Sequence, residues 1–233
     1  MVAMAGPRLG EWPLWRRFGL GGPPLSSRTV KANIPPATVA RLPVYLRCLD
    51  DVPSPQATCS SDELAATAGV NPAQVRKDLS YLDVAGVRGV GYPVTELRLE
   101  LREALGLTRG YSVAIVGAGN LGSALSSYAG FAGWGFEVAG VFDIDETKVG
   151  KVRGGHRVRA LGDLEMIVRE RGIAIGIVAT PAGAAQEVAD RFVAAGLRSI
   201  LNFAPTVLQV PDGVTVRRVD LSTELQILTF HLQ

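Results

Sequence analysis

The spacing of apolar residues divides the chain into stretches with different grammars. Behind Pro35 and Pro36, which suit a first helical turn, Val39, Leu42, Leu46 and Leu49 recur at helical spacing, so a helix is expected to about Asp50. Pro53 and Pro55 break it. A second helix is expected from Ser60-Ser61-Asp62-Glu63, where serine caps and the acids favour the positive helix end, through Leu64, Ala65 and Ala68 to Gly69. Asn71 as N-cap and Pro72 at the first position start a third, with Val75, Leu79 and Leu82 as its apolar seam and Gly86 as its stop. Three short helices with a tight glycine-containing turn make the helix-turn-helix pattern. The glycine-rich segment 87–92 that follows reads as a short hairpin, placed where a winged-helix domain has its wing. A further helix over 94–105 carries Leu97, Leu101 and Leu105 on one face.

From Ser112 the period changes. Val113 to Val116 is a continuous apolar run, the mark of a strand buried on both faces. A glycine turn and a helical segment follow, then expected strands at 136–142, 173–179, 199–203 and 214–219, with helices at 163–171, 182–195 and 221–232. Strands alternating with helices imply a parallel, doubly wound sheet with right-handed crossovers. Residues 1–32 hold nine glycines and prolines, a density of breakers that no helical or strand period survives, and read as a disordered extension.

Composition adds limits. A hydrophobic share of 47% suits a globular protein with a sizeable core. The formal net charge of +2 is too mild to announce a nucleic-acid binder, so any DNA contact must come from local charge. The two cysteines, Cys48 and Cys59, are not in a CxxC pair and have no nearby histidine, which points away from a metal site or a disulfide framework; Cys48 is expected buried on the first helix and Cys59 in a loop. No apolar stretch approaches the ~18–20 residues of a membrane span. The N-terminus carries Gly, Pro and Trp in place of an apolar signal core, so a reducing, cytoplasmic setting is expected.

Gly117-Ala118-Gly119-Asn120-Leu121-Gly122 directly follows the first strand of the second stretch and opens a helix. A G-x-G-x-x-G match alone is weak; a strand before it, a helix after it and an acid at the end of the next strand raise its weight. Gly117 permits the tight turn, Gly119 lets backbone approach a pyrophosphate, Gly122 lets helix pack close to sheet, and the helix N-terminus offers N–H donors to the phosphates. The acid is Asp143, which can accept from ribose hydroxyls and favours NAD(H) over NADP(H); Asp145 competes for the role, or serves as a turn residue or cap. Lys148 and Arg153 leave an opening for an extra phosphate. Ligands in such sheets lie at the carboxyl ends of strands, which nominates Thr180-Pro181 and Asn202-Phe203, against helix initiation by Pro181 and core packing by Phe203.

On the third helix, Gln74, Arg76, Lys77 and Ser80 lie off the apolar seam and suit a major groove: Arg bonds guanine bidentately, Lys and Ser hold phosphates. Arg88 of the wing suits a minor groove or a phosphate. The competing reading of Arg76 and Lys77 is a solvated helix face.

The fold class is thus α/β: a winged helix-turn-helix DNA-binding domain over 33–108, a doubly wound Rossmann NAD-binding domain over 109–219, and a C-terminal helix over 220–233. The blocks Gln74-Val-Arg-Lys-Asp-Leu-Ser-Tyr81, Arg88-Gly89-Val-Gly-Tyr92, Lys148-Val-Gly150 and Ile200-Leu-Asn-Phe-Ala-Pro205, with the glycine fingerprint, resemble the Rex family of redox-sensing transcriptional repressors over about residues 30–232. The resemblance implies a homodimer that holds operator DNA when NADH is low and leaves it when NADH binds. It implies DNA contacts at Arg76 and Lys77, with Tyr81 in the same block, and a wing of Arg88, Gly89 and neighbours. It further implies Tyr128 beside the nicotinamide, Arg41 and Asp220 in a polar switch linking the domains, and a last helix lying against or within the partner subunit. Leu221 stands where the family often has an aromatic residue, and Asn120 where members carry a basic one.

Two rivals remain. An NAD-dependent dehydrogenase needs a proton donor near the hydride. The chain has only His156, in an expected loop, and His231, in the last turn, and no Tyr-x-x-x-Lys pair follows the fingerprint. A coenzyme-A-binding subunit has a similar Rossmann domain but leaves the helix-turn-helix unexplained.

Overall fold

The computed structural model describes residues 34–52, 57–82, 84–230 and 232. The expected extension over 1–32 and His231 lie outside them. The chain divides into two compact units that meet between Leu105 and Gly106.

In the first unit, α1 (Pro36–Asp50) buries Leu42, Tyr45, Leu46 and Leu49. Helix α2 (Ser61–Ala68) opens on a capping box: Ser60 Oγ accepts from the Glu63 N–H at 3.1 Å, and Glu63 Oε2 accepts from the Ser60 N–H at 2.7 Å. It ends at Gly69, whose φ of 67° is the left-handed conformation that closes helices. Helix α3 (Pro72–Leu79) starts as expected, with Asn71 Oδ1 accepting from the Ala73 N–H at 2.7 Å. It ends at Leu79, well before Gly86; Leu82 is buried from the turn that follows. Strand β1 (Thr58–Cys59) pairs antiparallel with β2 (Tyr92–Pro93), so Cys59 lies buried in a strand and not in a loop. A Val87–Gly91 bridge closes the wing turn just before β2, and α4 (Val94–Ala104) completes the unit.

The second unit is built on β3 (Tyr111–Val116), β4 (Phe136–Asp143), β5 (Val152–Arg153), β6 (His156–Ala160), β7 (Ile173–Val178), β8 (Ser199–Asn202) and β9 (Thr215–Arg218). Their order is β5-β6-β4-β3-β7-β8-β9, parallel throughout except for the β5–β6 hairpin. The six parallel strands thus follow the 3-2-1-4-5-6 order of dinucleotide-binding sheets, and the chain reverses direction of winding between β3 and β7. Helices α7 (Leu164–Glu170) and α8 (Ala182–Ala194) cover one face over a core that includes Phe142 and Phe192; a second cluster around Ile115, Val141 and Val158 fills the other.

Two features differ from the periodicity. The helical segment after the fingerprint is two helices, α5 (Asn120–Ser126) and α6 (Ala129–Gly133). Ser126 and Ser127 hydroxyls donate to the Ser123 carbonyl at 2.8 and 3.2 Å, the local competition by which serine ends helices. The β5–β6 hairpin was not expected: its only buried residue is Val158, so it lacks an apolar run, and His156 lies in β6 and not in a loop. Helix α9 (Leu221–Phe230) buries none of its residues within this chain.

Candidate functional site

At the end of β3 the three fingerprint glycines serve different masters. Gly117 has φ of 105°, and a Cβ there would lie 2.4 Å from the Ala179 carbonyl oxygen. A Cβ on Gly122 would lie 1.7 Å from the Gly117 carbonyl oxygen. Both are demanded by the protein's own backbone. Gly119 is different: its φ of −76° and ψ of −165° suit any residue, and a Cβ there meets nothing within 4 Å. The space above it is open for a ligand to approach.

The carboxyl ends of β3, β4 and β7 enclose a cleft of about 380 Å³ that Gly117 and Gly119 floor. Ile144, Leu161 and Val188 give it apolar walls, and Asp145 and Lys148 a polar rim. Thr180 also lines it, and its Oγ1 is buried without a hydrogen-bond partner among the described residues. Neither α5 nor α8, which starts beside the cleft at Pro181, has a side-chain cap. Helix N-termini without side-chain caps, a buried hydroxyl without a partner among the described residues and a glycine floor fit a phosphate-bearing ligand.

Asp143 is held by groups of its own chain. The residue is 6% exposed; Oδ2 accepts from the Ala118 N–H at 2.7 Å and Lys148 Nζ at 3.1 Å, and Oδ1 from the Asp145 N–H at 2.9 Å. Burial pushes its carboxyl up, but these donors hold it below the usual carboxylate range. It clamps the two strand-end turns together. Asp145 is the more open acid: Oδ1 accepts from the Thr147 N–H and hydroxyl, while Oδ2 faces Lys148 at 3.5 Å. Asn202 is likewise spent inside a turn, donating to the Thr206 carbonyl and accepting from the Ala204 N–H, both at 2.9 Å. Phe203 packs on the core under the sheet. Tyr128 is 56% exposed, edge-on to Phe131. Asn120 and Leu121 are exposed on the first turn of α5.

In the first unit the sequence reading missed its central residue. Asp78 lies on the same face of α3 as Val75 and Leu79 and is fully buried. Its carboxylate accepts from Thr38 Oγ1 at 2.8 Å, Arg41 Nε at 2.6 Å and Nη2 at 2.8 Å, Tyr45 Oη at 2.7 Å and Gln74 Nε2 at 2.9 Å. This network ties α3 to α1. The signal was present: position 78 is three residues after Val75, inside the apolar seam, where an acid needs partners. Burial opposes ionisation of Asp78, but the four partner side chains hold its carboxyl far below the usual range, and burial pushes Tyr45 up to about 12. Arg41 is therefore committed within its own unit. Asp220 is committed within the other, paired with Arg218 and accepting from the Ser222 N–H at 3.1 Å.

Outside the seam, Arg76 and Lys77 are exposed, and Arg76 Nη1 donates to Ser61 Oγ at 2.9 Å. Ser80 Oγ turns back to the Lys77 carbonyl at 2.7 Å, and Tyr81 is half-buried. Arg88, Gly89 and Val90 form the exposed wing tip. Residues 34–105 hold seven Lys and Arg against nine Asp and Glu, so a DNA contact rests on these few placed cations and not on a basic domain.

Residues 33–80 match the family model "Putative DNA-binding protein N-terminus", and residues 108–206 match the CoA binding domain. The redox-sensing transcriptional repressor Rex of Streptomyces avermitilis is 57% identical over 206 residues, which span 88% of this chain and 82% of the relative. The repressor of the same name from Carboxydothermus hydrogenoformans is 51% identical over 86% of this chain and 97% of its own length. Among solved structures, RSP, a Rex-family repressor, in complex with β-NAD⁺ and operator DNA aligns with a TM-score of 0.80 at 37% identity, covering 87% of this chain and 94% of that one. RSP in complex with β-NADH aligns with a TM-score of 0.77 at the same identity, covering 95% of that chain.

Proposed function

The chain belongs to the Rex family of redox-sensing transcriptional repressors, and on that premise we propose that it holds palindromic operator DNA as a homodimer and releases it when NADH occupies the cleft at the β3 turn. It is a regulator and not an enzyme. The observation that carries the ligand half is the contrast among the glycines: Gly119 alone is left open where backbone must meet a pyrophosphate. Lys148 and Asp145 face the adenosine ribose in this reading, and Thr180 and Pro181 the neighbouring end of the cleft. The fully exposed α9, with Leu221, Leu225, Leu228 and Phe230 each at least 58% exposed, needs a cover, and a second copy of the chain supplies it. Arg41 and Asp220 act as a switch only if their present partners are exchanged. In this reading the protein works where operator DNA and the nicotinamide pool meet, in the cytoplasm. Among the described residues no helix is long and apolar enough to cross a membrane.

When bound, the cofactor presents a cationic ring if oxidised and a neutral one if reduced. An apolar surrounding of Tyr128 and Leu221 favours the neutral ring, because burying an unpaired charge is costly. Each tenfold change in operator affinity requires about 1.4 kcal/mol of preference between the two states. In a gel shift with a palindromic DNA library, NADH is expected to release the complex at concentrations where NAD⁺ and coenzyme A do not. Equal release by NADH and NAD⁺ refutes the redox reading; release by coenzyme A alone favours the ligand named by the second family model.

The DNA half has its own test. Lys77→Ala is expected to weaken binding evenly across sequences and to lower the salt slope by about one charge. Arg76→Ala is expected to cost about 1–3 kcal/mol against the preferred operator and to relax specificity at one base pair. Operator binding unchanged in both variants would remove α3 from the interface.

A further inference from the structure

Helix α6 contains two glycines on ordinary helical backbone, Gly130 and Gly133; neither has a positive φ, so neither backbone requires glycine. Glycine is a poor helix former, so each asks for another reason. For Gly133 a Cβ meets nothing within 4 Å. For Gly130 a Cβ would lie 2.4 Å from Tyr128 Cε1, 2.5 Å from Cζ and 2.6 Å from Oη. The tyrosine ring therefore lies on the helix where a side chain at 130 would be. Phe131 meets it edge to face, centroids 5.3 Å apart and planes at 89°. An aromatic that is 56% exposed is thus held from two sides, with its outer surface free.

We propose that Gly130 is a positioning residue for Tyr128: its missing side chain is the seat that lays the ring down and presents its outer surface to the neutral nicotinamide. The inference rests on the reading above that Tyr128 meets that ring. A methyl at 130 displaces the far end of a side chain, not backbone, so the fold accommodates it, and alanine strengthens the helix. What changes is where the ring points. Holding an aromatic in its binding pose before the ligand arrives removes an ordering cost from association. The benefit belongs to the apolar ring contact, so it favours NADH over NAD⁺.

The test compares the full-length wild type with Gly130→Ala, Gly133→Ala, Tyr128→Ala and Gly130→Ala/Tyr128→Ala, measuring melting temperature and the affinities for NADH and NAD⁺. Gly130→Ala is expected to melt at or above the wild-type temperature and to lose about tenfold in NADH affinity with a smaller loss for NAD⁺, so the preference between them narrows. Gly133→Ala is expected to bind as wild type. The double variant is expected to bind no more weakly than Tyr128→Ala alone, since both substitutions act through one ring. Wild-type NADH affinity in Gly130→Ala beside a weakened Tyr128→Ala overturns the positioning role. Additive losses in the double variant overturn it too. Wild-type affinity in Tyr128→Ala removes the ring from the ligand contact and the inference with it, while NADH binding to the glycine turn would stand.

Discussion

Asp78→Ala is expected to lower the stability of the DNA-binding unit by about 3 kcal/mol, the lower end for breaking a buried ion pair, because Arg41 keeps partial access to water. For a unit of this size that is a melting shift of more than about 10 °C. The size of the effect follows from what Asp78 leaves behind: five donor contacts from Thr38, Arg41, Tyr45 and Gln74 converge on one carboxylate that is fully shielded from water. Asp78→Asn preserves the volume but turns an amide –NH₂ towards groups that all donate, so it is expected to recover only part of the loss. Operator binding should fall further than stability alone requires, since Asp78 ties the helix that carries Arg76 and Lys77 to α1. The same carboxyl sets an acid limit. Its folded value is held below the unfolded one, so its contribution is complete above about pH 4 and is lost as pH falls further. Chemical denaturation of the wild type and both variants between neutral pH and pH 3 checks this. A shift below 1 kcal/mol in Asp78→Ala would show that α3 is held by its apolar seam and that the network is incidental.

Gly119→Val and Gly122→Ala are expected to fail in different ways. Valine at 119 finds an extended backbone and open space, so the melting temperature should stay at the wild-type value. Its branched side chain stands where a pyrophosphate would lie, and NADH affinity should fall by at least about 100-fold, close to 2.7 kcal/mol. Alanine at 122 meets the Gly117 carbonyl oxygen, which is backbone and cannot swing aside. Overpacking of this kind costs about 1–3 kcal/mol and distorts the turn, so stability and ligand binding should fall together. Paired thermal melts and NADH titrations separate the two outcomes. A Gly119→Val protein that binds NADH normally would move the ligand off this turn.

The sequence was most legible where a local rule has a local cause. The capping residues Ser60 and Asn71, the closing Gly69 and Gly122 act through neighbours a few positions away, so their roles read directly from spacing; Gly117 is also hemmed in by Ala179 just past the end of β7, which spacing does not contain. The buried parallel strands announced themselves because both faces are apolar. The β5–β6 hairpin did not, since Arg157 and Arg159 flank the one buried residue and its pairing depends on the turn at Gly154 and Gly155. The split of α5 from α6 was hidden too: two serines end a helix only if their hydroxyls find carbonyls, which composition does not declare.

By itself the sequence determined a helix-turn-helix unit followed by a dinucleotide-type sheet, because periodicity, caps and glycine spacing operate over a few residues and carry their own physics. Only the tertiary structure decided which polar groups are available. Asp143 ends the expected strand, yet its oxygens are claimed by Ala118, Asp145 and Lys148; Arg41 looks free in the sequence, yet Asp78 holds it. Hydrogen-bond partners 25 and 37 residues away are chosen by packing, and no reading of spacing contains them. The same holds for Gly130, an unremarked glycine in a short helix until the ring of Tyr128 is seen lying on it.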